Sequence, residues 1–308
     1  MQVKEQRAIL ALALAAAFAD GTQDERERTQ LRRVAEALGA GSGFNLPALL
    51  QDALLKRVDL DALAADLGSP ELRQLGFQLA VGACDADGLR SDTETRFLAA
   101  LGRALGLNQP QMAEPAAATD AIAAAAVAPG SDGVSVDRGD ALDRMILEAA
   151  TIGGALELLP HALAMVALPA LQMRMVHRIG ASYGFPLARA GVRDFLAAAG
   201  VSLTGQYLER IGRSIVGGSF DAAASDRAGP IARGATGAPL SFATTHALGH
   251  VAQHYFAGGR IMRGSVLEQA YAAMLGQAKA LQARHRPEIV RRMRNIDPTR
   301  LASLVREA

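Results

Sequence analysis

The segment Ala19-Asp20-Gly21-Thr22-Gln23-Asp24-Glu25-Arg26-Glu27 has a counterpart 67 residues later in Ala86-Asp87-Gly88-Leu89-Arg90-Ser91-Asp92-Thr93-Glu94. Each copy follows an apolar run, Ile9 to Ala19 or Leu75 to Cys84. Each also precedes a run with apolar residues at helical spacing: Leu31, Val34, Ala35 and Leu38 share one face in the first copy, and Phe97, Leu98, Leu101 and Leu105 in the second. Such a repeat sets the building block before the fold is known, and here the block is helix, Asp-Gly turn, helix, used twice. Gly21 and Gly88 can take the positive φ that ends an incoming helix. Asp24 with Glu27, and Ser91 with Glu94, have the spacing of a capping box that satisfies backbone N–H groups of the outgoing helix.

The composition agrees with a helical reading. Alanine supplies 64 of 308 residues, against 9 Phe, 4 Tyr and no Trp. A chain rich in the best helix former and poor in aromatics predicts an all-α protein of two helical domains, and argues against sandwiches, barrels and aromatic base-stacking platforms. With 32 basic and 31 acidic side chains there is no overall field to recruit nucleic acid, so no nucleic-acid partner is expected. The single cysteine, Cys84, cannot form an internal disulfide, which fits a reducing, cytoplasmic setting. Gln2 to Ala19 reads as a buried helix and not as a secretion signal, because it runs straight into the first Asp-Gly turn.

Caps account for Asp24, Glu27, Ser91 and Glu94, but leave Asp20 and Asp87 unexplained. Those two aspartates could accept backbone hydrogen bonds across the turn, or join nearby carboxylates around a hard divalent cation such as Ca²⁺. Neither copy has the alternating oxygen ligands and terminal bidentate Glu of an EF-hand. Two Asp-Gly-x-x-(Asp/Ser)-x-x-Glu units within residues 1–110 resemble the TerB family, the tellurite-resistance-associated domain. The resemblance implies an all-α domain with its acidic turns on one side, metal or partner contacts through Asp20, Glu27, Asp87 and Glu94, and a place in stress-linked, membrane-associated assemblies. Asp24 in one copy faces Ser91 in the other, so the two sites would not be equivalent.

Beyond residue 110 the expected order is an Ala/Pro/Gly-rich flexible linker at 111–140 with a short Ala-rich helical piece at Ala121 to Val127, a helical domain at 141–283 and a basic tail at 284–308. Glu157 is the only charge between Ala149 and Met173, a length that would span a bilayer. A carboxylate near the centre and the helix breakers Pro160 and Pro169 favour instead a helical hairpin bent at Leu159-Pro160, packed in a protein core or dipped into a membrane surface. His246, His250 and His254 follow at four-residue steps on one helical face. An adjacent pair such as His246 and His250 could bind Zn²⁺, but all three could not share one ion, since the outer two are about 12 Å apart along the axis. Ser265 and Glu268 have capping-box spacing before a further helix.

The order Leu159-Pro160, Leu171-Gln172-x-x-Met175-Val176-x-x-Ile179, Tyr183-Gly184, Ala243-Thr244-x-x-Ala247-Leu248-Gly249 and Tyr255-Phe256-x-x-Gly259 resembles the YcjF-type domain found beside GTPases. That likeness, over about residues 140–280, implies a helical module of membrane or GTPase systems.

Catalytic motifs are missing from the sequence. None of its lysines, Lys4, Lys56 and Lys279, stands in a phosphate-binding loop, and neither G-x-S-x-G nor H-E-x-x-H occurs. The expectation is a non-catalytic scaffold or adaptor of a stress-response or envelope system, without a cofactor, binding protein partners and an inner-membrane surface. The alternative is a metal sensor or metal-dependent enzyme using the acidic turns or the histidine helix.

Overall fold

The computed structural model describes residues 1–21, 29, 32, 36, 43–86, 90–125, 138–159, 162–216 and 240–308. These residues form thirteen α-helices and one 3-10 turn, with no strand among them, so the protein is all-α as expected. Contacts divide the chain into two compact units: Met1–Asp120 with Ser202–Ala228, and Ala121–Val201 with Gly229–Ala308.

The first unit is built around α1 (Val3–Ala17), whose residues from Ala8 onward are buried on every side. A helix apolar all round belongs inside a core, and its alanines let neighbours approach closely. Around it stand α2 (Leu46–Leu54), α3 (Leu60–Asp66), α4 (Pro70–Cys84) and α5 (Asp92–Ala104). Asn45, Asp59, Ser69 and Ser91 cap the N-termini of α2 to α5 in turn by accepting backbone N–H groups. The amphipathic run at residues 31–38 lies largely outside the described residues, as does the Asp24–Glu27 box.

The unit also takes in α10 (Leu203–Val216), a stretch that the sequence reading placed in the second domain. Tyr207, Leu208, Ile211 and Ile215 form its buried face, and the Tyr207 hydroxyl donates to the Leu79 carbonyl of α4 at 3.0 Å. An amphipathic pattern says that a helix buries one face; it does not say against which neighbour.

Residues 111–125 are not the expected flexible linker. They belong to α6 (Gln109–Ala125), which starts on a reciprocal box: Asn108 Oδ1 accepts the Gln111 N–H at 3.0 Å and Gln111 Oε1 accepts the Asn108 N–H at 2.9 Å. Alanine richness, read as low complexity, acts here as helix propensity. Residues 126–137 lie outside the described residues.

In the second unit α7 (Arg138–Glu157), α8 (Ala162–Ser182), α11 (Leu240–Ala257) and α12 (Gly264–Asn295) pack together, with α9 (Arg189–Ala198) and α13 (Leu301–Glu307) against α8. α7 and α8 form the expected hairpin, broken beside Pro160. Pro169, expected as a second break, sits inside α8; buried neighbours from Ala164 to Leu171 outweigh one lost backbone bond. Glycines set how close these helices come. A Cβ on Gly249 would stand 2.7 Å from Ile146, and one on Gly153 would stand 2.9 Å from Leu168. Glu157 Oε2 accepts the Ser241 N–H at 2.7 Å, so the lone charge of the apolar stretch caps the N-terminus of α11. No helix among the described residues is long and apolar enough to cross a membrane.

Residues 284–308 pack as helix into the unit and are not the expected basic tail. Ile289, Met293, Leu301 and Val305 are buried, and Arg174 and Arg178 of α8 donate to the Arg306 and Ala308 carbonyls at the end of α13. Arginine count masked an apolar face with helical spacing. α12 itself begins at Gly264 with Arg263 at its N-cap, two residues ahead of the expected Ser265 N-cap.

Candidate functional site

At the first turn, α1 ends through Phe18 and Ala19 into Gly21, whose φ is +74° as its position requires. The Lys56 ammonium donates to the Ala19 carbonyl at 3.1 Å, placing a cation on the C-terminal end of the α1 dipole. Lys56 reaches it from the end of α2, where Arg57 N–H donates to Asp52 O at 2.9 Å and Lys56 N–H to Ala53 O at 3.1 Å. This is the Schellman pattern, and its left-handed position, φ +52°, holds a lysine where glycine is favoured.

At the second turn the cation is local. Asp85, 7% exposed, follows Cys84 at the end of α4. Arg90 clasps its carboxylate with two bonds, Nε to Oδ1 at 2.8 Å and Nη2 to Oδ2. Nη2 also reaches Thr119 Oγ1 at 3.3 Å and Asp120 Oδ1 at 3.4 Å on α6. The capping box expected at Ser91 and Glu94 is formed: Glu94 Oε2 accepts the Ser91 N–H at 2.7 Å and Ser91 Oγ accepts the Glu94 N–H at 3.2 Å.

The helix ends that lead into the two turns, those of α1 and α4, lie at the same end of the unit. Burial pushes the Cys84 thiol well above its ordinary pKa, helped by Glu94 and Asp85, opposed by Arg90, and helped again by Asp20. Its Sγ stands 3.7 Å from the Ala16 carbonyl, so the ends of α1 and α4 meet there. Of the candidate ligands, Asp20 and Glu94 are described; Glu27 and Asp87 lie outside the described residues. Among the described residues no group of three or more His, Cys, Asp or Glu side chains could hold a metal ion.

Sequence reasoning missed Asp85, Arg90 and Lys56. Opposite charges five apart across the turn were a usable signal for the first two. Lys56 had none, since its target is 37 residues away.

On α11, His246 and His250 do come together, with ring centroids 4.5 Å apart. Phe242 stacks on His246 at 5.9 Å and on His285 of α12 at 5.5 Å, bringing in a histidine that the four-residue pattern could not include. Burial, then His250 and His285, lower the His246 pKa to about 4, against an opposing pull from Asp143. His250 Nδ1–H donates to Gln253 Oε1 at 3.1 Å, and Gln253 Nε2 donates to Asp143 Oδ1 at 3.1 Å. His254 Nδ1–H donates to the His250 carbonyl at 2.7 Å, which takes it out of the pair.

Residues 2–118 match the model of a family described as Protein of unknown function (DUF533), a TerB-like family. The match takes in both Asp-Gly turns. No curated protein and no solved structure shows a significant match to the chain.

Proposed function

We propose that the chain is a non-catalytic scaffold or adaptor of a stress-response, envelope-associated system, cytoplasmic and peripheral on the inner membrane face, where it gathers protein partners. The observation that carries this reading is the turn between α11 and α12. Ile261 is 82% exposed and Val266 49%, flanked by the exposed Arg260 and Arg263. Gly259 and Arg260 are both left-handed, with φ of +70° and +67°, and the Arg260 guanidinium lies 5.7 Å from the centre of the Phe185 ring. The backbone therefore presents an isoleucine between two cations. An apolar side chain at the acyl boundary with guanidiniums on lipid phosphates is how peripheral proteins hold an anionic surface, at about 1 kcal/mol per basic residue. The likeness of residues 140–280 to the GTPase-associated module makes a GTPase the first protein partner to test.

Sedimentation with phosphatidylglycerol-containing vesicles tests the membrane part. The chain is expected to co-sediment, and Ile261→Glu with Arg263→Glu to reduce the bound fraction at least about fivefold. Equal sedimentation of the variant, or none by the parent chain, counts against it.

A second reading, a metal sensor at His246 and His250, is favoured by the contact of their rings. His246 stays neutral at pH 7 and can offer a lone pair. Zn²⁺ should then raise the melting temperature of the parent chain and not of His250→Ala. The same neutral histidine makes stability fall with acidity: with a folded pKa of about 4 below the unfolded value, the unfolded chain binds the extra proton. The loss begins as pH drops through about 6.5 and is complete near 4, amounting to about 1 kcal/mol for a half-buried ring.

A further inference from the structure

A cavity of about 420 Å³ opens beside the first Asp-Gly turn, between the end of α1, the link from α2 to α3, and α5. Its size is in the range of small-molecule sites. Phe18 and Ala15 from α1, with Ala53, form a buried floor, while Leu60 and Phe97 are half-buried at the sides. The polar groups on its wall are Lys56, Arg96 and Thr93, and none of the described lining residues is acidic. Arg96 gives one Nη2 donor to Thr93 Oγ1 at 3.2 Å, and Lys56 gives one donor to Ala19. A guanidinium has five N–H donors and an ammonium three, so most of this capacity is uncommitted in those bonds. Lys56 also occupies a left-handed position that favours glycine, at a cost of about 1 kcal/mol, and that backbone is what carries its ammonium to the cavity wall.

An apolar floor beneath two cations matches one class of ligand. A neutral hydrophobe would draw nothing from the two cations, and a bare anion would draw nothing from the apolar floor. We propose that this cavity binds an anionic amphiphile, a single acyl or aryl chain bearing a carboxylate or phosphate head, with the chain among Phe18, Leu60 and Phe97 and the head on Arg96 and Lys56. The site is separate from the exposed turn at Ile261, so either can fail without the other.

Titration calorimetry on the full chain, below the critical micelle concentration of each probe, tests the proposal. Decanoate and decyl phosphate distinguish the two heads; decanol, acetate and inorganic phosphate each supply half of the chemistry. The expected result is saturable one-to-one binding of decanoate or decyl phosphate, at least about tenfold tighter than decanol, acetate or phosphate. Arg96→Glu, an exposed change with little risk to folding, should weaken that binding by about tenfold or more. Ala15→Leu, which fills the floor, should abolish it while the melting temperature reports whether the fold is kept. Decanol binding as tightly as decanoate, acetate or phosphate matching it, or unchanged binding by Arg96→Glu overturns the proposal.

Discussion

At the first Asp-Gly turn the residue two before the aspartate is Phe18, whose ring floors a cavity; at the second the corresponding residue is Asp85, whose carboxylate is clasped by Arg90. Arg90 in turn occupies the position of Gln23. Both turns end a buried helix, and both have a cation close by. The first borrows Lys56 from the end of α2 across 37 residues, while the second carries its own arginine and is closed over by Thr119 and Asp120 of α6. The matched residues bring a buried helix to each Asp-Gly turn, and unmatched side chains decide whether that helix end borders a cavity or carries a closed ion pair.

Breaking the sealed turn should have the largest effect. Arg90→Met leaves Asp85 buried without its partner and should cost about 3 kcal/mol or more in chemical denaturation. Adding Asp85→Leu should restore much of that loss, because replacing both members of a buried pair by apolar groups is often neutral. A single variant within about 0.5 kcal/mol of the parent would remove the distinction between the turns.

Cys84 offers a second view of the same opening. Its buried, high-pKa thiol should resist alkylation at pH 8, and Arg90→Met should speed labelling by the factor expected from its destabilisation. Labelling as fast as a free thiol in the parent chain would contradict the burial.

At the open turn, Lys56→Ala keeps the left-handed strain and loses the bond to Ala19, for a cost of about 1–2 kcal/mol. Lys56→Gly loses the same bond and relieves the strain, so it should be more stable than Lys56→Ala by about 1 kcal/mol. If the two variants melt together, the lysine is not held at a strained position. The smallest effect is expected at a feature that the sequence already gives both copies: Ser91→Ala should cost about 1 kcal/mol through loss of the capping box.

Local chemistry was legible where its partners are close in sequence. The all-α class, the helices before both turns, the left-handed Gly21, the Ser91–Glu94 box and the break before Pro160 all depend on residues within four or five positions. Misreadings came from composition standing in for pattern. The alanines at 111–125 have the composition of a linker although Asn108 and Gln111 cap a helix there, and the arginines after 284 conceal Ile289, Met293, Leu301 and Val305. The candidate site was legible in part: Glu94 does what its spacing says, and His246 meets His250, whereas Lys56, Arg90 and His285 enter through contacts or charges that the motif did not include.

By itself the sequence determined the helices that lead into both Asp-Gly turns and the capped helix after the second, because backbone propensity and capping act over one or two turns of chain. Only the tertiary structure decided that α10 joins the first unit, that Glu157 caps α11, and that one turn is sealed while the other borders a cavity. Those outcomes depend on which apolar face covers which polar group across tens of residues. An amphipathic pattern states that a face must be buried, and the partner that buries it is selected by the packing of the whole unit.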